Sequence, residues 1–186
     1  EWYTVCTNGD NLLRAWTSHH AEIALAEDRA LATRTGSTDG YYRSAVCGEA
    51  PMAEGRHYAE FAVVKKGSFG MYVGVVPAAD MDADTDMDAG RVAGLTHGWC
   101  AEPAVYMWRS GDGCHCQGGS HSSWNGQAKY AQGDVVGLLL DLGAGTLTAY
   151  KNGTLLGLMV ACIAPPVRWA VDLDYASARL ESQPAP

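Results

Sequence analysis

The chain has 186 residues, which suits one globular domain and is too short for two of ordinary size. Its net charge of −8 and its pI near 5.1 disfavour a nucleic-acid duplex or an anionic membrane surface as a partner. No apolar run approaches the ~20 residues that span a bilayer, so we expect a soluble protein. The sequence leaves its compartment open, with an intracellular or organellar location favoured over secretion. Six cysteines leave disulfide pairing open.

The first predicted elements, in residues 21–33, are ambiguous. The segment AEIALAEDRALAT is rich in helix formers, yet Ile23 and Leu25 alternate with polar neighbours ahead of the turn Glu27-Asp28-Arg29. Leu31 continues this alternation after the turn. Periodicity alone does not separate a helix from two short strands here.

Two strands are predicted in the middle of the chain. Residues 57–65 (HYAEFAVVK) and 70–76 (GMYVGVV) are short, apolar and rich in β-branched residues. We expect the second to pair with the first across Lys66-Gly67-Ser68.

A hairpin is predicted over residues 104–117. Residues 104–110 form one strand and 114–117 the other, joined by Gly111-Asp112-Gly113. Because side chains alternate along a strand, Cys114 and Cys116 should share one face.

The clearest pattern lies in residues 133–157. An apolar strand at 135–142 is followed by a glycine turn and by the alternating residues 146–150. Asn152-Gly153 is a strong hairpin signal, because both residues accept positive φ. Residues 154–158 complete a three-stranded meander.

Two more strands are predicted near the C-terminus. Residues 167–173 follow Pro165-Pro166, a pair that ends whatever structure precedes it. Residues 177–182 are expected to form a last edge strand.

Several blocks of this sequence resemble a SPRY (B30.2-like) domain in order and spacing over roughly residues 20–182. The blocks are GRHYAEF at 55–61, MYVGVV at 71–76, the GW pair at 98–99, GDVVGLLLDLGAGTLTAYKNGTLLG at 133–157 and WAVDL at 169–173. The resemblance implies an all-β fold, a bent antiparallel β-sandwich of two sheets that is concanavalin-like. It also implies one domain over 1–186, with a core at about 20–182 and an N-terminal extension at 1–19.

The resemblance also implies that the ambiguous N-terminal segment forms strands at 22–25 and 31–35, with a third strand at 42–47. SPRY domains are protein-interaction modules without catalytic machinery, and they recognise partners through loops at one end of the sandwich. Here those loops correspond to residues 48–56, 77–98 and 117–132. Packing between the sheets is expected from Leu138, Leu140 and Leu142 against Val171 and Leu173.

The stretch GDGCHCQGGSHSSW at 111–124 could hold a metal. Zinc needs four ligands, and five candidates lie within reach in sequence: His97, Cys100, Cys114, Cys116 and His121. Their spacing does not form a zinc knuckle, so we expect no metal and assign Cys114 and Cys116 to the core as small apolar residues. A disulfide from one of them to Cys100 or another cysteine is the alternative.

An acidic segment, DMDADTDMDAG, occupies residues 80–90. No register gives glycine at position 6 and glutamate at position 12, so an EF-hand is excluded. We expect a solvated insertion; weak cation binding and contact with a basic partner stay open. The residues concerned are Asp80, Asp82, Asp84, Asp86 and Asp88.

Tryptophan and tyrosine dominate the aromatic residues, with six Trp and nine Tyr against two Phe. Both suit interfaces, although they equally suit a core with hydrogen-bonded rings. Trp169 and Tyr150 lie in predicted strands and are assigned to structure. The predicted partner-binding residues are Trp99, Trp124, His121 and Asn125.

No P-loop, HExxH, GxSxG, CxxC or Rossmann motif is present in the sequence. We therefore expect no enzyme and no cofactor, and predict a protein-interaction module whose partner is a protein. One alternative is an accessory subunit docked permanently in a multi-subunit assembly, including an organellar one. Another is a carbohydrate-binding lectin that uses His121, Trp124 and Asn125.

Overall fold

The computed structural model describes residues 15–27, 29–35, 42–65, 70–78, 105–118, 120–174 and 177–181. Within these residues the chain forms strands and no helix. The strands are β1 (Trp16–His19), β2 (Ile23–Ala26), β3 (Leu31–Arg34), β4 (Arg43–Met52), β5 (Arg56–Lys65), β6 (Met71–Pro77), β7 (Tyr106–Arg109), β8 (His115–Gln117), β9 (Ser120–Ser122), β10 (Val135–Asp141), β11 (Thr146–Lys151), β12 (Thr154–Ala161), β13 (Val167–Leu173) and β14 (Ser177–Glu181).

The strands form two antiparallel seven-stranded sheets. Sheet A has the order β1-β4-β13-β6-β7-β8-β9, and sheet B has the order β12-β11-β10-β5-β14-β3-β2. The predicted all-β sandwich is therefore confirmed.

The main core lies between the two sheets. Leu138 and Leu140 of sheet B and Val171 and Leu173 of sheet A are fully buried in one apolar cluster, as predicted. Burying one such side chain stabilises the fold by roughly 1.5–3 kcal/mol. Leu142, just after β10, joins the same cluster.

The predicted meander β10-β11-β12 is confirmed, with Leu138 opposite Ala149. The turn after β11 places Asn152 at φ 51° and Gly153 at φ 74°. This left-handed backbone suits the twist of a two-residue hairpin, which explains the Asn-Gly pair.

The ambiguous N-terminal segment is the β2-β3 hairpin, with Ile23 opposite Arg34. Glu27 and Arg29 have φ values of 55° and 68°, so the polar turn reverses the chain. Ile23 and Ala32 are buried in the core, and this tertiary burial overrides the helix propensity of the segment.

The predicted pairing of residues 57–65 with 70–76 is wrong. β5 pairs with β10 and β14 in sheet B, whereas β6 pairs with β13 and β7 in sheet A. Phe61 and Val73 both belong to the core cluster between the sheets, so the two strands face each other instead of lying side by side.

The predicted edge position of the last strand is also wrong. β14 lies between β5 and β3, and Ala178 is fully buried. The sequence does not predict β1 or β9. β1 pairs with β4 and lies within the stretch 1–19, and its Trp16 is fully buried. β9 consists of Ser-His-Ser, which carries no apolar signal.

A second apolar cluster lies on the face of sheet A that points away from sheet B. Its residues alternate with the core residues along β4, β6, β7 and β13, and all are less than 9% exposed. They are Tyr42, Val46, Tyr72, Val76, Val105, Met107, Cys116 and Ala170. We call this face the outer face of sheet A.

Candidate interaction surface

Strand register places the predicted loops at two different ends of sheet A. Leu173 is opposite Arg43 and Met71, and these residues share the end closed by the β7-β8 turn, residues 110–114. We call it the turn end. Residues 48–56 and the described start of 77–98 lie at the other end, since Val167 is opposite both Met52 and Pro77.

The 117–132 region spans both ends. Gln117 is opposite Ser120 at the far end, whereas His115 is opposite Ser122 at the turn end. The long loop after Ser122 therefore starts beside the β7-β8 turn.

Asp112 organises that turn. Its Oδ1 accepts a hydrogen bond from the Cys114 N–H at 3.0 Å, and its Oδ2 lies 2.9 Å from Arg109 Nη1. The Gly113 N–H donates to the Arg109 carbonyl at 3.0 Å. The predicted hairpin around Gly111-Asp112-Gly113 is thus confirmed.

The loop after β9 braces the turn from the core side. The Trp124 Nε1–H donates to the Gly113 carbonyl at 2.8 Å, and Gln127 Nε2 donates to the Asp112 carbonyl at 2.9 Å. The buried Tyr130 hydroxyl bonds to the carbonyls of Trp108 and Met71. These contacts fix the turn relative to sheet A.

Arg109 stands at the end of β7 on the outer face. Its Cζ lies 5.9 Å from the centroid of the Tyr72 ring, within cation–π range. Asp112 is its second contact, so the guanidinium is held at two points while 31% of the side chain stays exposed.

Arg109 and Asp112 both keep their charges in this turn. Burial alone would lower the pKa of Arg109, but Tyr72 and Asp112 outweigh it and hold that pKa above its usual range. Burial alone would raise the pKa of Asp112, but the Cys114 N–H and Arg109 hold it below its usual range. The pair is therefore ionised at neutral pH.

Tyrosine and polar side chains extend this site toward β4. The Tyr42 ring meets the Tyr72 ring edge-on at 5.0 Å, and burial raises the pKa of Tyr42 while Arg109 opposes this shift. On the neighbouring strands, the Ser44 hydroxyl donates to the fully buried Asp172 carboxylate.

His121 belongs to the same face. It is opposite Cys116, and its ring meets the Tyr72 ring at 6.0 Å. His121 is exposed, so it forms the solvent-facing margin of a polar-aromatic site made of Tyr42, Tyr72, Arg109, Asp112 and His121. We call this the Arg109 site.

The other predicted contact residues are placed differently. The Trp124 ring packs edge-on against Trp108 at 5.8 Å and joins the inter-sheet core, so it lies on the opposite face from His121. Asn125 is exposed in the adjacent loop. Trp99 lies outside the described residues, as do Asp80, Asp82, Asp84, Asp86 and Asp88.

The two cysteines of the β7-β8 hairpin lie in different surroundings. Cys116 is buried in the outer-face cluster, as expected, whereas Cys114 is half-buried with its Sγ 3.4 Å from Gln127 Nε2. Of the candidate zinc ligands, His97 and Cys100 lie outside the described residues. Among the residues that the structure does describe, no three His, Cys, Asp or Glu side chains form a group that could hold a metal ion.

Sequence reasoning did not single out Arg109, Tyr72 or Asp112. Asp112 was visible only as a turn residue, although aspartate in such a turn accepts nearby backbone N–H groups. Arg109 at a strand end carries no local signal, because its partner Tyr72 is brought close only by the β6-β7 pairing.

The described residues contain no helix with the length and apolar character needed to span a bilayer. The architecture is that of a two-sheet, antiparallel β-sandwich with a polar turn braced at one end.

Comparison with known proteins identifies the family to which this sandwich belongs. The family model of the SPRY domain matches residues 56–176, and the chain belongs to the SPRY family. SPRY domains are generally protein-interaction modules. No curated protein matches the sequence.

Two solved structures are similar in fold. The SPRY domain of human HERC1 superposes with a TM-score of 0.67 at 15% identity, covering 89% of this chain and 97% of that chain. The PSpry domain of TRIM65 superposes with a TM-score of 0.63 at 16% identity, covering 90% of this chain and 89% of that chain.

Proposed function

We propose that this chain binds a protein partner through the Arg109 site at the turn end of sheet A. The observation that carries the proposal is the partly exposed Arg109 side chain, whose guanidinium contacts both the Tyr72 ring and the Asp112 carboxylate. His121 supplies a second exposed polar group beside it.

Pre-organisation is the physical advantage of this arrangement. A free arginine loses considerable rotamer freedom when a partner immobilises it. Arg109 is already ordered by Tyr72 and Asp112, so less entropy is lost on binding. Arginine and tyrosine are also the residue types enriched among the strongest contacts of protein interfaces.

The contact chemistry follows from the charge. The whole chain is acidic, but Arg109 and His121 present donors at this rim, and the buried Arg109 Nε has no hydrogen-bond partner among the described residues. A partner carboxylate would meet the exposed part of the guanidinium in a charge-assisted hydrogen bond. Trp124 then acts as a brace for the turn, through its bond to Gly113.

The alternatives differ in their support. An accessory subunit would use the same site in a long-lived complex, and native mass measurement separates it from a transient adaptor. A lectin platform of His121, Trp124 and Asn125 has less support, because Trp124 and His121 lie on opposite faces of sheet A.

The test is a capture experiment with matched variants. The wild-type chain, Arg109→Met and Arg56→Ala each carry a photo-crosslinking residue at position 121. Each chain is exposed to lysate of the source cell. Arg56 lies on sheet B with similar exposure, 35%, so it controls for loss of surface charge.

We expect one dominant crosslinked protein that is retained by Arg56→Ala and lost from Arg109→Met. Thermal melting confirms that both variants are folded. Equal capture by all three chains would refute the Arg109 site as the contact surface.

A further inference from the structure

Two Asn-Gly pairs lie within the described residues, Asn125-Gly126 in the loop after β9 and Asn152-Gly153 in the β11-β12 turn. Both asparagines are exposed, and the two glycines have positive φ values of 101° and 74°. This left-handed backbone favours glycine at each position. At Gly126 a Cβ atom would also stand 2.1 Å from the Leu156 carbonyl oxygen. The fold therefore favours glycine directly after each asparagine.

A following glycine makes an asparagine chemically reactive, because without a side chain its backbone nitrogen can approach the asparagine amide. That nitrogen loses its proton to water and attacks the side-chain Cγ atom, while the amide nitrogen takes up a proton and leaves as ammonia. Water then opens the resulting cyclic imide at either carbonyl. The net reaction consumes water, releases ammonia and leaves aspartate or isoaspartate, so it needs no oxidant and no cofactor.

The side-chain amide of Asn152 is held at both of its polar atoms. The Val135 N–H donates to Asn152 Oδ1 at 2.8 Å, and Asn152 Nδ2 donates to Asp134 Oδ1 at 2.9 Å. Asp134 is fixed in turn, because its Oδ2 accepts from the Ala131 N–H at 2.8 Å and lies 3.1 Å from Lys151 Nζ. We call Asp134 and Val135 the Asn152 clamp. Cyclisation must break both clamp bonds, because Cγ has to turn toward the next backbone nitrogen.

The side chain of Asn125 is placed differently. Among the described residues no hydrogen bond holds its amide. Its position in the loop is fixed through the main chain, because the Gln127 N–H donates to the Trp124 carbonyl at 3.2 Å and closes a turn around Asn125 and Gly126. The amide of Asn125 can therefore rotate while the sheets stay intact.

We propose that Asn125 is a deamidation site of the folded protein and that the Asn152 clamp protects the second Asn-Gly pair from the same reaction. Two hydrogen bonds must open before Asn152 cyclises, which slows its reaction at least about fivefold relative to Asn125. The product at position 125 lies between Trp124 and Gln127, whose side chains brace the β7-β8 turn. Isoaspartate lengthens the backbone there and weakens the brace. The inference does not depend on the Arg109 site.

The experiment follows both asparagines in one preparation of the full chain. Folded and urea-unfolded samples are kept at mildly alkaline pH, and peptide mass mapping measures the gain in mass at each site over time. Retention time separates aspartate from isoaspartate. Asp134→Ala removes one acceptor of the clamp, and Asp141→Ala, which removes a partly exposed carboxylate near the other end of β10, is its matched control. Thermal melting shows whether both variants are folded.

In urea the two asparagines should deamidate at similar rates, since glycine follows each. In the folded wild type Asn125 should react at least about fivefold faster than Asn152. Asp134→Ala should accelerate the reaction at Asn152 and leave Asn125 unchanged, whereas Asp141→Ala should change neither rate. The chain with isoaspartate at position 125, isolated by ion exchange, should melt below the unmodified chain.

The comparison of folded and unfolded wild type needs no variant, so it decides the matter even if Asp134→Ala does not fold. A folded chain in which Asn125 does not react, or reacts no faster than Asn152, would overturn the proposal. Equal rates at Asn152 in folded Asp134→Ala and Asp141→Ala would show that the clamp does not protect it. Unchanged melting of the isoaspartate chain would refute the effect on the brace.

Discussion

The Arg34 Nη1 atom lies 3.6 Å from Asp174 Oδ1, and both side chains are almost completely buried. Arg34 belongs to β3 in sheet B, whereas Asp174 directly follows β13 in sheet A. Glu22 extends the network, because its Oε2 lies 3.6 Å from Arg34 Nη2 and 2.8 Å from Arg43 Nε. The network joins the two sheets at the turn end.

Removing one member of this buried pair should be costly. Asp174→Asn leaves the buried Arg34 charge with only the partly exposed Glu22 carboxylate, and we expect a loss of about 3 kcal/mol in the free energy of unfolding, the low end for breaking a buried ion pair. Urea denaturation measures the loss. Arg56→Ala is the control, since its ion pair with Asp141 is about one-third exposed on both sides and should contribute at most ~1 kcal/mol. Equal losses would contradict the burial of the Arg34 pair.

Gly113→Ala should destabilise the fold more than Gly153→Ala does. Both have similar positive φ values, 79° and 74°, so alanine is strained at both. At Gly113 the Cβ atom would also stand 2.4 Å from the Ala128 carbonyl oxygen, whereas at Gly153 nothing lies within 4 Å. We expect Gly153→Ala to cost ~1 kcal/mol and Gly113→Ala at least ~2 kcal/mol more, by thermal or urea unfolding.

The same two variants also test whether the geometry of the β7-β8 turn matters for partner binding. Gly113→Ala should also weaken partner capture, since it displaces the turn that carries Asp112. Gly153→Ala lies at the β11-β12 hairpin and should leave capture unchanged. If both variants captured the partner equally well, the turn geometry would not matter for binding.

Local sequence pattern predicted the parts of the fold that depend on local chemistry. The meander at residues 133–157 was readable because Asn152-Gly153 fixes the turn and alternation fixes the buried face. The β2-β3 hairpin needed the family resemblance, since its residues favour a helix and only tertiary burial of Ile23 and Ala32 decides the outcome.

The local sequence pattern could not predict which strands pair or which residues meet at the Arg109 site. A short link suggests a hairpin between β5 and β6, yet both strands have a strongly apolar face, and placing them in opposite sheets buries the two faces against each other. Arg109 meets Tyr72 for a similar reason, because strand register across β6 and β7 creates the contact. His121, a predicted contact residue, is exposed, but the local pattern did not predict its neighbours.

Leu140 should carry a large share of core stability. It is fully buried within the inter-sheet cluster, so Leu140→Ala removes buried surface and leaves a cavity, at a cost of about 2–5 kcal/mol. Leu155→Ala makes the same chemical change at a side chain that is 59% exposed, and we expect a change within about 0.5 kcal/mol. Calorimetric melting of both variants checks the contrast. A similar melting temperature for the two would contradict the assigned core.

Asp134 should make stability depend on acid pH. Burial alone would raise its pKa, but the Asn152 amide, the Ala131 N–H and the Lys151 ammonium hold it below the ordinary value of 3.8. The folded state therefore binds fewer protons than the unfolded chain around this pH. The stabilisation is present in full above the ordinary value and is lost as pH falls through the lower, folded pKa.

Comparison with Asp134→Asn isolates this contribution. The wild type should exceed the variant in free energy of unfolding by a constant amount from pH 7 to about pH 5, and the difference should shrink steadily below about pH 4. Urea denaturation at a series of pH values measures both chains. Asp141→Asn serves as a control for loss of a surface carboxylate near the other end of β10. A difference that stays constant down to pH 2 would show that the Asp134 carboxylate is not selectively stabilised in the folded state.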